Sequence, residues 1–153
     1  MTTNQKREFS QWEAVLAAPL VKEFEGLKLE AYLCPAGVPT IGYGHTGGVR
    51  LGERVTKQEA DRLLTEDLEK FKLQMRRYVT VPVTRGQFVA LLDFCFNLGA
   101  ARLRISTLLK HLNAGHEDLA ANEFHKWRFC NGKVLEGLVR RRAREEAFFR
   151  GQA

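Results

Sequence analysis

Between Tyr32 and Val55 the chain leaves helical periodicity: Thr40, Ile41 and Tyr43 alternate among Gly42 and Gly44, and further glycines follow. Alternation at a period of two with glycine punctuation reads as a small antiparallel sheet with tight turns. It is the one strand-like region that the sequence shows, because the rest carries the 3.6-residue helical pattern. A chain that must place one short sheet among helices is confined to an α+β, mainly helical architecture. At 153 residues it suits one domain, or two small lobes sharing a helix.

The helices are read from their start and stop signals. Residues 9 to 17 predict a short helix with Trp12, Val15 and Leu16 on one side, and Pro19 suits the first turn of a second helix that ends at Gly26. Thr56-Lys57-Gln58-Glu59 is a capping box opening a long helix, with Leu64, Leu68, Phe71 and Met75 at helical spacing, to about Tyr78. Thr84-Arg85-Gly86-Gln87 is a second capping box, starting an apolar helix through Phe88, Leu91, Leu92, Cys95 and Phe96 that Asn97 and Gly99 close. Ser106 caps a helix to about Leu112, another runs from about Glu117 to Phe129, and Asn131-Gly132 turns into a last helix carrying Arg140 to Phe149. The expected division of 1–153 is an extension over 1–17, a helix and sheet over 18–55, a connecting helix over 56–80 and a helical lobe over 81–153.

Lys and Arg number 24 against 18 Asp and Glu, a formal charge of +6 that favours a polyanionic partner: nucleic acid, an anionic membrane or a cell wall. On composition alone, a solvated basic surface is the first account of the charge. Cys34, Cys95 and Cys130 are odd in number and widely spaced, which excludes a full disulfide framework and does not resemble a zinc site. Charges interrupt the apolar residues of the first twenty, so no signal peptide or membrane span is expected there.

Glu25, at a helix end before a glycine, faces loop residues Cys34 and Thr40 further along. Glycoside hydrolysis needs a carboxylic acid to protonate the departing oxygen and a second group to position water or stabilise the oxocarbenium-like centre. By spacing alone, Glu25 reads first as a surface glutamate, since such residues are common at helix ends. The run Glu25-Gly26-Leu27-Lys28-Leu29-Glu30-Ala31-Tyr32, then Gly37-Val38-Pro39-Thr40-Ile41-Gly42-Tyr43-Gly44-His45-Thr46, closely resembles the catalytic segment of phage-type lysozymes, glycoside hydrolase family 24. Phe94 to Gly99, Ser106 to Leu109, Asn113 to Gly115, Glu123-Phe124 with Trp127, and Gly137-Leu138 with Arg141, Arg142 and Glu145 also look like family blocks in family order.

That resemblance implies a lysozyme-like fold with a small sheet lobe and a larger helical lobe. It also implies an endolysin hydrolysing the β-1,4 bond between N-acetylmuramic acid and N-acetylglucosamine, with catalytic roles on Glu25, Cys34 and Thr40 and no metal or cofactor. It puts Asn97 in the sugar cleft and Arg141 beside Glu25, and favours a structural pair of His45 and Asp67. The implied partner is the peptidoglycan glycan strand, with no nucleic acid and no stable membrane insertion. The protein is then a monomer held in the host cytoplasm until a holin opens the way to the periplasm and cell wall.

The other candidates have plainer readings. Trp12 and Trp127 fit sugar stacking or core, with core the commoner role. Cys95 reads as packing in an apolar run and Cys130 as a free thiol beside a turn. The run Arg140 to Arg144 fits a nucleic-acid patch, or a solvated arginine face opposite Ala143, Ala147 and Phe148, with Arg141 as the exception. A carboxylate near Cys34 would raise its thiol pKa and keep it neutral, so either Thr40 does more of the water positioning or a thiolate attacks covalently. A lytic transglycosylase, or a basic binding module without catalysis, stays open on residues alone.

Overall fold

A computed structural model describes residues 5–152, so the first four residues of the extension lie outside the described residues. Strand β1 (Lys6–Arg7) is followed by two 3-10 turns, Phe9–Gln11 and Ala14–Ala17, and by helix α1 (Ala18–Glu25). Strands β2 (Lys28–Leu33) and β3 (Pro39–Gly42) come next, then α2 (Lys57–Met75), β4 (Val83–Thr84) and α3 (Arg85–Leu98). Helices α4 (Ala100–Ile105), α5 (Thr107–Asn113) and α6 (Glu117–Ala121) lead to a 3-10 turn at Phe124–Lys126. Strands β5 (Phe129–Cys130) and β6 (Lys133–Val134) precede α7 (Glu136–Phe149). No helix among the described residues is long and apolar enough to cross a membrane.

The capped starts form as their chemistry dictates. Thr84 and Gln87 exchange both bonds of a capping box at the head of α3, and Ser106 Oγ accepts from the Leu109 N–H at the head of α5. At α2 only half of the expected box forms: Thr56 accepts from the Glu59 N–H, while the Glu59 carboxylate takes the Thr56 hydroxyl proton. The apolar α3 lies at the centre, with Phe88, Leu91, Leu92, Phe94 and Cys95 fully buried. Trp12 and Trp127 pack on or in this core, Trp127 edge-on to Phe94 at 5.3 Å.

Several expected elements differ. The helix over 9–17 is broken at Trp12, whose extended backbone (φ −84°, ψ 142°) lets the indole N–H donate to Val83 O, and Val15 is exposed. Strand structure is not confined to 32–55: the main hairpin starts at Lys28, β1 pairs antiparallel with β4, and β5 with β6. Pairs of two residues are too short to show a period, and β1 and β4 meet only in three dimensions. Helix α2 stops at Met75, α6 at Ala121, and α4 was not foreseen. The last helix does not present a solvated arginine face: Arg141 and Arg142 are buried, and Ala143 is exposed. The reason lies in α3, where the fully buried Asp93 calls for cations from the helix packed against it.

Candidate active site

Helix α1 carries Glu25 as its last residue, because Gly26 takes a positive φ and ends the helix there. Lys22, a turn earlier, pairs with Asp61 on α2 at 2.9 Å and lies over the Tyr43 ring, which ties α1 to the long helix and the sheet. The Glu25 side chain is thereby set between the hairpin and α7.

One Glu25 oxygen, Oε1, accepts from Arg141 Nη1 at 2.7 Å. The other lies against Gly44, where an added Cβ would stand 2.8 Å from Oε2 and 3.3 Å from Phe96. With φ at +75°, that position admits glycine on both conformational and steric grounds. Arg141 turns the rest of its fork to Asp93: Nε to Oδ2 and Nη2 to Oδ1, each 2.9 Å. Behind it, Arg142 Nη2 donates to Glu145 Oε2 at 2.8 Å and to Asn97 Oδ1 at 2.9 Å. Asp93 and Glu145 are both fully buried, and each carboxyl acts on the protonation of the other. Burial and then Asp93 push Glu145 well above the ordinary carboxyl range. Burial works against Asp93 too, but Glu145 and Arg141 outweigh it and hold Asp93 low.

Cys34 and Thr40 flank the tight loop of the hairpin. The Thr40 hydroxyl, buried, donates to Val38 O at 2.9 Å and also lies beside the Cys34 thiol. Contrary to the expected rise, the thiol is held below its ordinary value. Hydrogen bonds from the loop backbone, Val38 first, and from Thr40 stabilise the charged form more than desolvation opposes it. Tyr32, across from Glu25, is pushed up by burial and by the Glu25 charge.

His45 Nδ1 lies 2.8 Å from Asp67 Oδ2, and Nε2 lies 3.0 Å from Gly47 O, joining the sheet to α2. Asn97 and Arg141 line an open concavity of about 930 Å³, together with Phe24, Gly137 and Leu138, whereas Glu25, Cys34 and Thr40 do not line it. Cys95 is enclosed in the core and Cys130 is exposed on the β5–β6 hairpin, away from this arrangement. Sequence reasoning missed Asp93 and the depth of Arg142. The available signal was an aspartate among Phe88, Leu91, Leu92 and Phe94, since a buried carboxylate demands a cation.

The family model for phage lysozyme matches residues 22–145. The endolysin of Acyrthosiphon pisum secondary endosymbiont phage 1 is 41% identical over 134 residues, 85% of this chain and 92% of its own length. The endolysin of Bacillus phage B103 is 43% identical over 136 residues, 85% of this chain; the chain spans only 51% of that relative. The solved muramidase domain of SpmX from Asticaccaulis excentricus superposes with a TM-score of 0.80 at 41% identity, covering 87% of this chain and 93% of the domain. A match over most of the chain, in sequence and in fold, shows that this protein belongs to the phage lysozyme family of glycoside hydrolases.

Proposed function

We propose that this chain is an endolysin that hydrolyses the β-1,4 bond between N-acetylmuramic acid and N-acetylglucosamine, with Glu25 as the proton donor. The observation that carries this reading is the asymmetric hold on the Glu25 carboxyl: Arg141 fixes Oε1, while Oε2 lies against Gly44 and accepts no hydrogen bond from the described residues. A carboxyl held at one oxygen delivers its proton from the other in a fixed direction, which general acid catalysis requires. As the glycosidic bond breaks, Arg141 stabilises the carboxylate left behind.

Cys34 and Thr40 stand in for the group that handles water and positive charge. A thiol whose charged form is favoured by its surroundings accepts a hydrogen bond from water, and opposes developing positive charge at the anomeric carbon, better than an unperturbed thiol does. Thr40, buried beside the thiol, has a single hydroxyl proton, given either to Val38 O or to the Cys34 sulfur, and its oxygen keeps lone pairs that can accept from water. Water delivered to the face opposite Glu25 inverts the anomeric centre, whereas direct attack by Cys34 retains it. Asn97, with its oxygen occupied by Arg142, donates no side-chain hydrogen bond to the described residues, which leaves its amide N–H for a sugar. Arg141 has its fork occupied by Glu25 and Asp93, so we assign it to holding Glu25 rather than to the sugar.

The same reading makes the protein a monomer that waits in the host cytoplasm and passes the inner membrane through a holin. Expression in a host with and without a co-expressed holin tests this: lysis without one overturns it. For the chemistry, Glu25→Gln is expected to fold and to lose lysis of outer-membrane-permeabilised cells by at least about 100-fold, because the amide cannot deliver a proton. Activity within tenfold of the unaltered protein rules out the assigned role. New reducing ends, rather than anhydro-sugar ends, in digested sacculi separate hydrolysis from transglycosylation.

A further inference from the structure

From Lys70 to His116 the chain carries eight lysines and arginines but a single carboxylate, Asp93, which is fully buried against Arg141. None of these eight cations pairs with a carboxylate among the described residues. Elsewhere on the surface such pairs form readily: Arg62 with Glu66, Arg144 with Glu23 and Arg150 with Glu146. This segment therefore gathers a part of the basic excess that no neighbouring carboxylate neutralises.

The fold brings much of it to one corner, where α2, α4 and α5 meet. Arg76 and Arg77 follow the end of α2 at Met75. The Arg104 guanidinium lies over the Tyr78 ring at 5.4 Å. Asn113 clasps the same turn, accepting from the Thr80 N–H at 3.0 Å and donating to Tyr78 O at 2.7 Å. Lys110, three residues before Asn113 on α5, shares its side of the helix. On α4 Leu103 is fully buried, so at about 3.6 residues per turn Ile105 points outward with Arg102 and Arg104 on either side. Ile105 is 75% exposed, the most of any large apolar side chain among the described residues, and Leu73, in the last turn of α2, is 58% exposed.

We infer that this corner, with Arg76, Arg77, Arg102, Arg104 and Lys110 around Ile105, docks on the surface of an anionic phospholipid bilayer. Lipid phosphates supply the negative charge that the cations lack, and guanidinium groups take phosphate oxygens in pairs. The aliphatic side chain decides between anionic partners. A nucleic acid or an anionic wall polymer presents hydrated charge, against which Ile105 would stay in water. A bilayer has acyl chains just beneath its phosphates, so Ile105 is buried while the arginines beside it reach the headgroups. The contact is peripheral, since no helix among the described residues is long and apolar enough to span the membrane. It does not depend on the reaction assigned to Glu25.

The test is sedimentation of the full chain with phosphatidylcholine vesicles, with and without phosphatidylglycerol. Binding is expected to the anionic vesicles alone, and to weaken with added salt. Arg102→Glu with Lys110→Glu, two exposed side chains without a hydrogen bond or ion pair among the described residues, is expected to lower binding at least about tenfold. Arg50→Glu with Lys133→Glu, an equal change of charge elsewhere on the surface, is expected to lower it less than about threefold. Ile105→Ser is expected to weaken vesicle binding at least about threefold and to leave binding to a DNA duplex unchanged. Absence of binding to the anionic vesicles, or equal losses in the two double variants, overturns the inference. Unaltered vesicle binding by Ile105→Ser overturns it too, because the corner is then a general polyanion surface.

Discussion

The thiol of Cys34 sits on a loop whose amides and neighbouring Thr40 favour its charged form. Thiolates alkylate and thiols do not, so in a Cys130→Ser background Cys34 is expected to react with iodoacetamide at a pH below that needed by a free thiol. Cys95, buried and pushed up, is expected to stay unreactive in the folded protein. A Cys34 reaction profile matching free cysteine removes the electrostatic argument for its role. Cys34→Asp is expected to keep or raise activity and Cys34→Ser to keep an appreciable part, with inversion at the anomeric carbon. Retention of configuration, with an inactive serine variant, establishes covalent attack instead. Glu145 gives a second titration. Its folded pKa is raised above the unfolded one, so the native state binds more protons and stability falls as pH rises from the ordinary carboxyl range through the folded value. Glu145→Gln does not titrate, so its Tm relative to the unaltered protein is expected to rise as the pH is raised above the ordinary carboxyl range. A constant difference as the pH is raised counts against a raised Glu145.

Helices α3 and α7 pack closely enough to bury charge because Gly86 allows it. A Cβ there would meet the Phe148 carbonyl oxygen at 2.1 Å, a backbone clash that no rotamer relieves. Gly86→Ala is therefore expected to cost about 1–3 kcal/mol despite better helix propensity, read by chemical denaturation. An unchanged midpoint removes the close packing. The N-terminal extension also acts as an element. Its Phe9 is buried against Phe88 at 4.8 Å, Trp12 bonds to Val83, and β1 lies along β4. Phe9→Ala is expected to cost about 3–5 kcal/mol, as truncation of a buried phenylalanine does. The caps of α2, α3 and α5 were legible because they are local chemistry, written within four residues. The break at Trp12 was not, because a bond to Val83 overrides the apolar spacing of residues 9 to 17.

Over the whole molecule the basic excess of +6 acts through screened, long-range attraction, which concerns approach to an anionic wall more than bond cleavage. Lysis of whole walls is expected to weaken with added salt more than cleavage of short neutral oligosaccharides, and equal sensitivity counts against steering. Part of the charge has a different use. Arg141 and Arg142, adjacent in a basic run, are spent inside the protein on Asp93, Glu145 and Glu25. The sequence by itself determined the α+β class, the capped starts of α2, α3 and α5, and the Gly-rich hairpin that carries Cys34 and Thr40. Each of these is carried by local spacing, by capping chemistry or by a contiguous family block. Only the tertiary structure decided which arginines are buried, that Arg141 meets Asp93 and Glu25 while Arg142 meets Glu145, and that the surroundings of Cys34 lower its thiol pKa. Burial and electrostatic environment come from residues far apart in the chain, and no pattern along it records which charges share the same low-dielectric interior.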